Sequence, residues 1–177
     1  MGNTSAMDDE RLRTYLNDHL AGASSAVATL VRLAADRADD DLGLQLAQLR
    51  DEIRLDRDAL REAVARLPGG ESGWKRALGL AVSIGAWGRD LLPGARPTFA
   101  QELEALAIGV WGKRLLWGAL ARVAEHDDRF LDLDLESLSA RAEAQEKELL
   151  RLRDEALSEA FHLPTDRPEG RTAEEIP

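Results

Sequence analysis

This chain encodes an all-α protein built on four long helices, and three features of its sequence say so. Four stretches repeat apolar residues every three or four positions, the spacing that lines one side of a helix. No stretch alternates apolar and polar residues as a half-buried strand would. Clusters of helix-breaking residues, Pro68-Gly69-Gly70, Pro93-Gly94 and Pro97, fall between the stretches, where the chain must turn. With 177 residues it is long enough for one domain around a single core.

The first helix is expected over roughly 8–38. Its stripe is Leu12, Leu16, His19, Ala23, Ala26, Val27, Leu30 and Leu33, and Asp8, Asp9 and Glu10 place negative charge at the positive end of the helix dipole. Asp39, Asp40 and Asp41 mark the turn that follows. The second helix, about 41–67, carries Leu42, Leu46, Leu49, Ile53, Asp56, Leu60, Ala63, Val64 and Leu67, and stops at Pro68. Residues 68–97 form a long crossover with a shorter amphipathic helix from Trp74 to Leu92, interrupted by Gly79, Gly85 and Gly88.

The third main helix follows Pro97. Thr98 stands as its N-cap, Gln101 three residues on completes a capping box, and the helix runs to about His126. From Ala105 to Ala121 its only charges are Lys113 and Arg114, so it should be enclosed by the other helices or by a second subunit. The fourth, about 133–162, has Leu135, Leu138, Ala142, Gln145, Leu149, Leu152, Ala156 and Ala160 on its stripe. The bundle thus spans 8–163. The polar, proline-containing tail 164–177 has too little apolar content to fold and is expected to be disordered.

Composition narrows the function. A formal net charge of −10 offers no basic surface, so nucleic acid is not an expected partner. The absence of cysteine excludes disulfides, thiolate metal sites and cysteine nucleophiles, and fits a reducing cytoplasm. The longest apolar run, Ala77 to Trp87, falls well short of the ~20 residues that span a bilayer, and no signal-peptide pattern opens the chain. Arg far outnumbers Lys, and Ala and Leu abound, which suggests a GC-rich bacterial genome.

Each main helix carries one polar residue on or beside its apolar stripe: His19, Asp56, Lys113 and Gln145. Glu52 and Glu102 lie at stripe edges. Facing helices of a bundle can bring several such groups to one point, either as a hydrogen-bonded network that sets register or as a metal site. A helix of about 27 residues is ~40 Å long, and the crossover is long enough to return along it, so the second and third helices run parallel. Asp56 and Lys113 then share a layer, with Lys113 opposite position 147, within a turn of Gln145. The Lys113 ammonium would occupy the place where a metal needs a donor.

Leu16–Gly22 (LNDHLAG), Glu52–Leu60 (EIRLDRDAL) and Glu102–Lys113 (ELEALAIGVWGK) carry a resemblance over about 9–162. The chain resembles the ferritin-like superfamily, and within it an uncharacterised bacterial family without the standard di-iron ligand set. The resemblance implies a ferritin-like four-helix bundle with a long crossover between helices two and three. Ferritin-like di-iron proteins take Glu from two helices and Glu-x-x-His from the other two. Here Glu52 is followed at its third position by Leu55, Asp56 by Ala59 and Glu143 by Glu146, and His19 stands where that pattern has Glu. Glu102 lies level with position 46, too far along the axis to share a metal with Asp56.

Two readings remain open. In one, the protein is a non-catalytic bundle with an interaction or structural role, needs no cofactor, and holds His19, Asp56, Lys113 and Gln145 as a core polar network. In the other, His19, Glu52 and Asp56 bind iron or manganese, in a metal carrier or oxidoreductase. His126 and His162 sit near helix ends and are expected to be exposed. No Ser/His/Asp triad or phosphate loop appears. The apolar third helix and the Trp-bearing crossover point to a homodimer rather than to peripheral membrane contact. Arg50, Arg54, Arg57 and Arg61 are expected to be solvated on outer faces.

Overall fold

The computed structural model describes residues 8–69 and 97–163, which contain four α-helices and no strand. They are α1 (Asp9–Ala35), α2 (Asp41–Ala65), α3 (Phe99–Ala124) and α4 (Leu135–Ala160), with a 3-10 turn at Asp128–Phe130 between the last two. The expected crossover helix from Trp74 to Leu92 and the tail beyond residue 163 lie outside the described residues.

Every helix opens on a side-chain cap. Asp8 accepts a hydrogen bond from the Arg11 amide at 3.0 Å, Asp40 from Gly43 at 2.8 Å and Asp134 from Ser137 at 3.0 Å. At α3 both halves of the capping box are made: Thr98 accepts from the Gln101 amide at 3.3 Å, and the Gln101 side chain accepts from the Thr98 amide at 2.8 Å. Each cap satisfies an amide that the helix cannot, worth about 1 kcal/mol. The α1–α2 turn is so tight that a Cβ on Gly43 would lie 1.9 Å from the Arg37 carbonyl oxygen, so only glycine fits there. Past α2, Gly69 takes a φ of +72°, the left-handed conformation that glycine adopts without strain.

The helices pack as two hairpins, α1–α2 and α3–α4. Polar contacts at the two ends of the bundle establish how the hairpins meet. At one end Arg32 of α1 pairs with Glu102 of α3, and Arg151 and Arg153 of α4 reach Gln45 of α2 and Glu104 of α3. At the other, Arg129 pairs with Asp9 of α1 at 2.6 Å, Arg66, the C-cap of α2, pairs with Asp132, and Arg13 donates to the Pro68 carbonyl. Hence α1 runs antiparallel to α3, and α2 to α4. The consequence is that α2 and α3 run parallel across the diagonal, and α3 begins at the end of the bundle opposite to where α2 stops.

The stripes read in α1, α2 and α4 meet the inner faces of α3 in one core: Leu16, Leu30, Leu46, Ile53, Leu60, Leu103, Leu116, Trp117, Leu120, Leu149 and Leu152 are all buried, whereas Ala160, in the last turn of α4, is exposed. Phe130, from the 3-10 turn, is fully buried and plugs the end of the core beneath α3 and α4. Arg50, Arg57 and Arg61 depart from expectation. They are half-buried, with Arg50 on Asp51 and both Arg57 and Arg61 on Asp58, because a long side chain can lay its methylenes on the helix while its head finds a neighbouring carboxylate. Within the chain the other described helices enclose only the inner faces of α3: Ile108, Trp111 and Leu115 are 69%, 52% and 52% exposed on its outer face.

Candidate functional site

Halfway along the bundle the core is interrupted by ions. Asp56 on α2 is 1% exposed, Lys113 on α3 7% and Gln145 on α4 1%, and no other polar residue among the described ones is as deeply enclosed. Lys113 Nζ donates to Asp56 Oδ2 at 2.5 Å and to Gln145 Oε1. Arg141, one turn before Gln145 on α4, donates from Nε to Asp56 Oδ1 at 2.6 Å, and its Nη2 also lies against that oxygen. Gln145 Nε2 reaches Glu52 Oε2 in a long contact of 3.4 Å, and Gln48 donates to the other Glu52 oxygen at 3.3 Å.

Helical geometry places these groups. Glu52 and Asp56 are four apart on α2, and Arg141 and Gln145 are four apart on α4, so each pair occupies one face. Because the helices are antiparallel, a step of four up one matches a step of four down the other, setting Asp56 against Arg141 and Glu52 against Gln145. Lys113 enters from α3 across the diagonal. Two carboxylates and two cations leave the cluster formally neutral.

Burial is the largest influence on Lys113 and lowers its pKa, opposed by the charge and hydrogen bond of Asp56; Arg141 adds to the lowering and Glu52 resists it. An ion pair this enclosed has a desolvation cost close to what its attraction returns, so it selects an arrangement more than it adds stability. A slip of α4 by one turn would put Leu149 or Arg141 where Gln145 must accept from Lys113.

Of the four residues read as a core network, Asp56, Lys113 and Gln145 therefore meet. His19 makes no hydrogen bond to them. It is half-buried on α1 with its ring edge-on to Tyr15, centroids 4.8 Å apart, and burial lowers its pKa while Asp18 pulls the other way. Glu52 reaches the network only through Gln145, and Glu102 is tied to Arg32 at the end of the bundle. Among the described residues no three His, Asp or Glu side chains converge as metal ligands, so His19, Glu52 and Asp56 do not form one centre. His126 and His162 are exposed.

Arg141 was not visible as a network member because it lies beside the stripe of α4 rather than on it. Its spacing of four from Gln145, matched to the spacing between Glu52 and Asp56, was the available signal. No described helix is long and apolar enough to cross a membrane. Comparison with protein families, curated proteins and solved structures gives no match.

Proposed function

We propose that this chain is a non-catalytic, cytoplasmic bundle of the ferritin-like kind, with a structural or interaction role, in which a buried ion network occupies the position of a di-metal centre. The observation that carries this reading is that both oxygens of Asp56 are already engaged by cations, Lys113 on one and Arg141 on the other. A metal bound there would face two positive charges at hydrogen-bond distance in a low-dielectric core. The order of the helices supports the ferritin-like assignment, with every adjacent pair antiparallel and α2 parallel to α3 across the diagonal.

The test is metal analysis of purified protein, with thermal melts in EDTA and in added iron or manganese. The expected result is no stoichiometric metal and a melting temperature indifferent to all three. A retained metal whose removal lowers the melting temperature, with the effect abolished by His19→Ala, would overturn this reading in favour of a metal carrier or oxidoreductase using His19, Glu52 and Asp56.

A further inference from the structure

The outer face of α3 is unusual for a solvent-facing helix. Ile108, Trp111 and Leu115 are more than half exposed, and the positions between and beside them are Ala105, Gly109, Gly112, Gly118 and Ala119. Glycine inside a helix costs roughly 0.5–1 kcal/mol relative to alanine. Nothing among the described residues asks for that cost, since a Cβ added at Gly109, Gly112 or Gly118 would meet no described atom within 4 Å. The space they leave is open to another molecule.

The face reads nearly the same in both directions about a point between Trp111 and Gly112. Two copies of α3 laid antiparallel about that point would set Ile108 against the partner's Leu115, Ala105 against the partner's Gly118, and the Trp111 indole over the partner's Gly112. Apolar residues fall on apolar or small ones at every level: Ile108 on Leu115, Ala105 on Gly118, and at the centre the large Trp111 on Gly112. The ends match too: Arg122, exposed in the last turn and without an ion pair among the described residues, would lie by the partner's Gln101 and within reach of its Glu104. We propose that this face is a two-fold self-association surface, with α3 packed antiparallel on α3 of a second copy and Trp111 seated on the partner's Gly112. It deepens the reading of the protein as an interaction module, and rests on it.

Size sets the strength. The exposed side chains of this face amount to an apolar patch on the order of 500 Å² per copy, so roughly 1,000 Å² in the pair, the lower edge of specific interfaces. An interface of that size fits a dimer in equilibrium with its monomer rather than an obligate one.

Because the chain contains no cysteine, position-specific cross-linking on the full-length protein is direct. Gly112→Cys should cross-link to itself with a short bismaleimide, whereas Ala105→Cys should not, its two copies being 13 residues or ~20 Å apart along the axis. Sedimentation should show a concentration-dependent monomer–dimer equilibrium, which Leu115→Arg weakens at least tenfold while leaving the helical circular dichroism and melting temperature of the monomer unchanged. Cross-linking at both positions would mean a parallel pair and would overturn the proposal. So would a wild-type monomer at all concentrations, and one in which Leu115→Arg lowers the melting temperature would mean that the chain's own residues 74–92 cover α3. None of these outcomes touches the ion network, and a metal requirement would leave the cross-linking pattern unaltered, so the two readings fail separately.

Discussion

If the central ions act as a coupled unit, removing them one at a time must cost more than removing them together. Asp56→Leu leaves the ammonium of Lys113, a residue only 7% exposed, with Gln145 alone to accept from it, while Arg141, whose side chain is 35% exposed, can turn outward to water. Stranding one buried charge costs about 3–5 kcal/mol. Lys113→Met is milder, because Arg141 still holds Asp56; what is lost is a charge-assisted hydrogen bond and the partner of Gln145 Oε1, about 2–3 kcal/mol together. The double variant Asp56→Leu with Lys113→Met removes both charges and adds apolar contact, so its loss should be about 1–3 kcal/mol, well below the sum of the singles. Urea unfolding followed by helical circular dichroism gives all four values, with the slope checked for constancy so that only stability is compared. Single-variant losses that add to within about 0.5 kcal/mol would refute the coupling. A larger loss for Lys113→Met than for Asp56→Leu would refute the assignment of Arg141 as the second support of Asp56.

Two further outcomes follow from the same structure. Gly22 on α1 is exposed with open space at its Cβ, so Gly22→Ala should raise stability by about 0.5–1 kcal/mol, whereas Gly43→Ala, driven into the Arg37 carbonyl, should lower it by about 1–3 kcal/mol; chemical denaturation showing the same sign for both would be contrary. His19, whose folded pKa is pushed below its ordinary 6.5 by burial, binds a proton less readily in the folded than in the unfolded chain, so stability is lost as pH falls from 6.5 through the folded value. His19→Leu should flatten the melting temperature between pH 7 and 5, and equal slopes for the two proteins would count against it.

How far the sequence disclosed this arrangement depended on whether a feature is local. The start of α3 was legible because Pro97, Thr98 and Gln101 specify it within four residues, and the stop of α2 because Pro68 cannot continue it. The shared layer of Asp56 and Lys113 was legible from helix lengths alone, since parallel helices of similar start keep equal offsets. Side-chain direction at the edge of a stripe was not: the period that selects Leu138, Ala142 and Gln145 passes over Arg141, which bends into the core only because Asp56 waits opposite. His19 shows the reverse case, a polar residue on the stripe whose ring turns to Tyr15 one helical turn away. Phe130 sits in a turn, where no periodicity marks a residue as core.

The central quartet divides unevenly between the hairpins: α2 supplies both carboxylates and α3–α4 both cations. Each hairpin alone would hold two like charges against its own apolar face, and would find relief only in the other. The first half of the chain is thus unable to pair well with a second copy of itself, and likewise the second half. Mutual recognition between unlike halves, with self-pairing penalised, is written into four side chains at the centre of the fold.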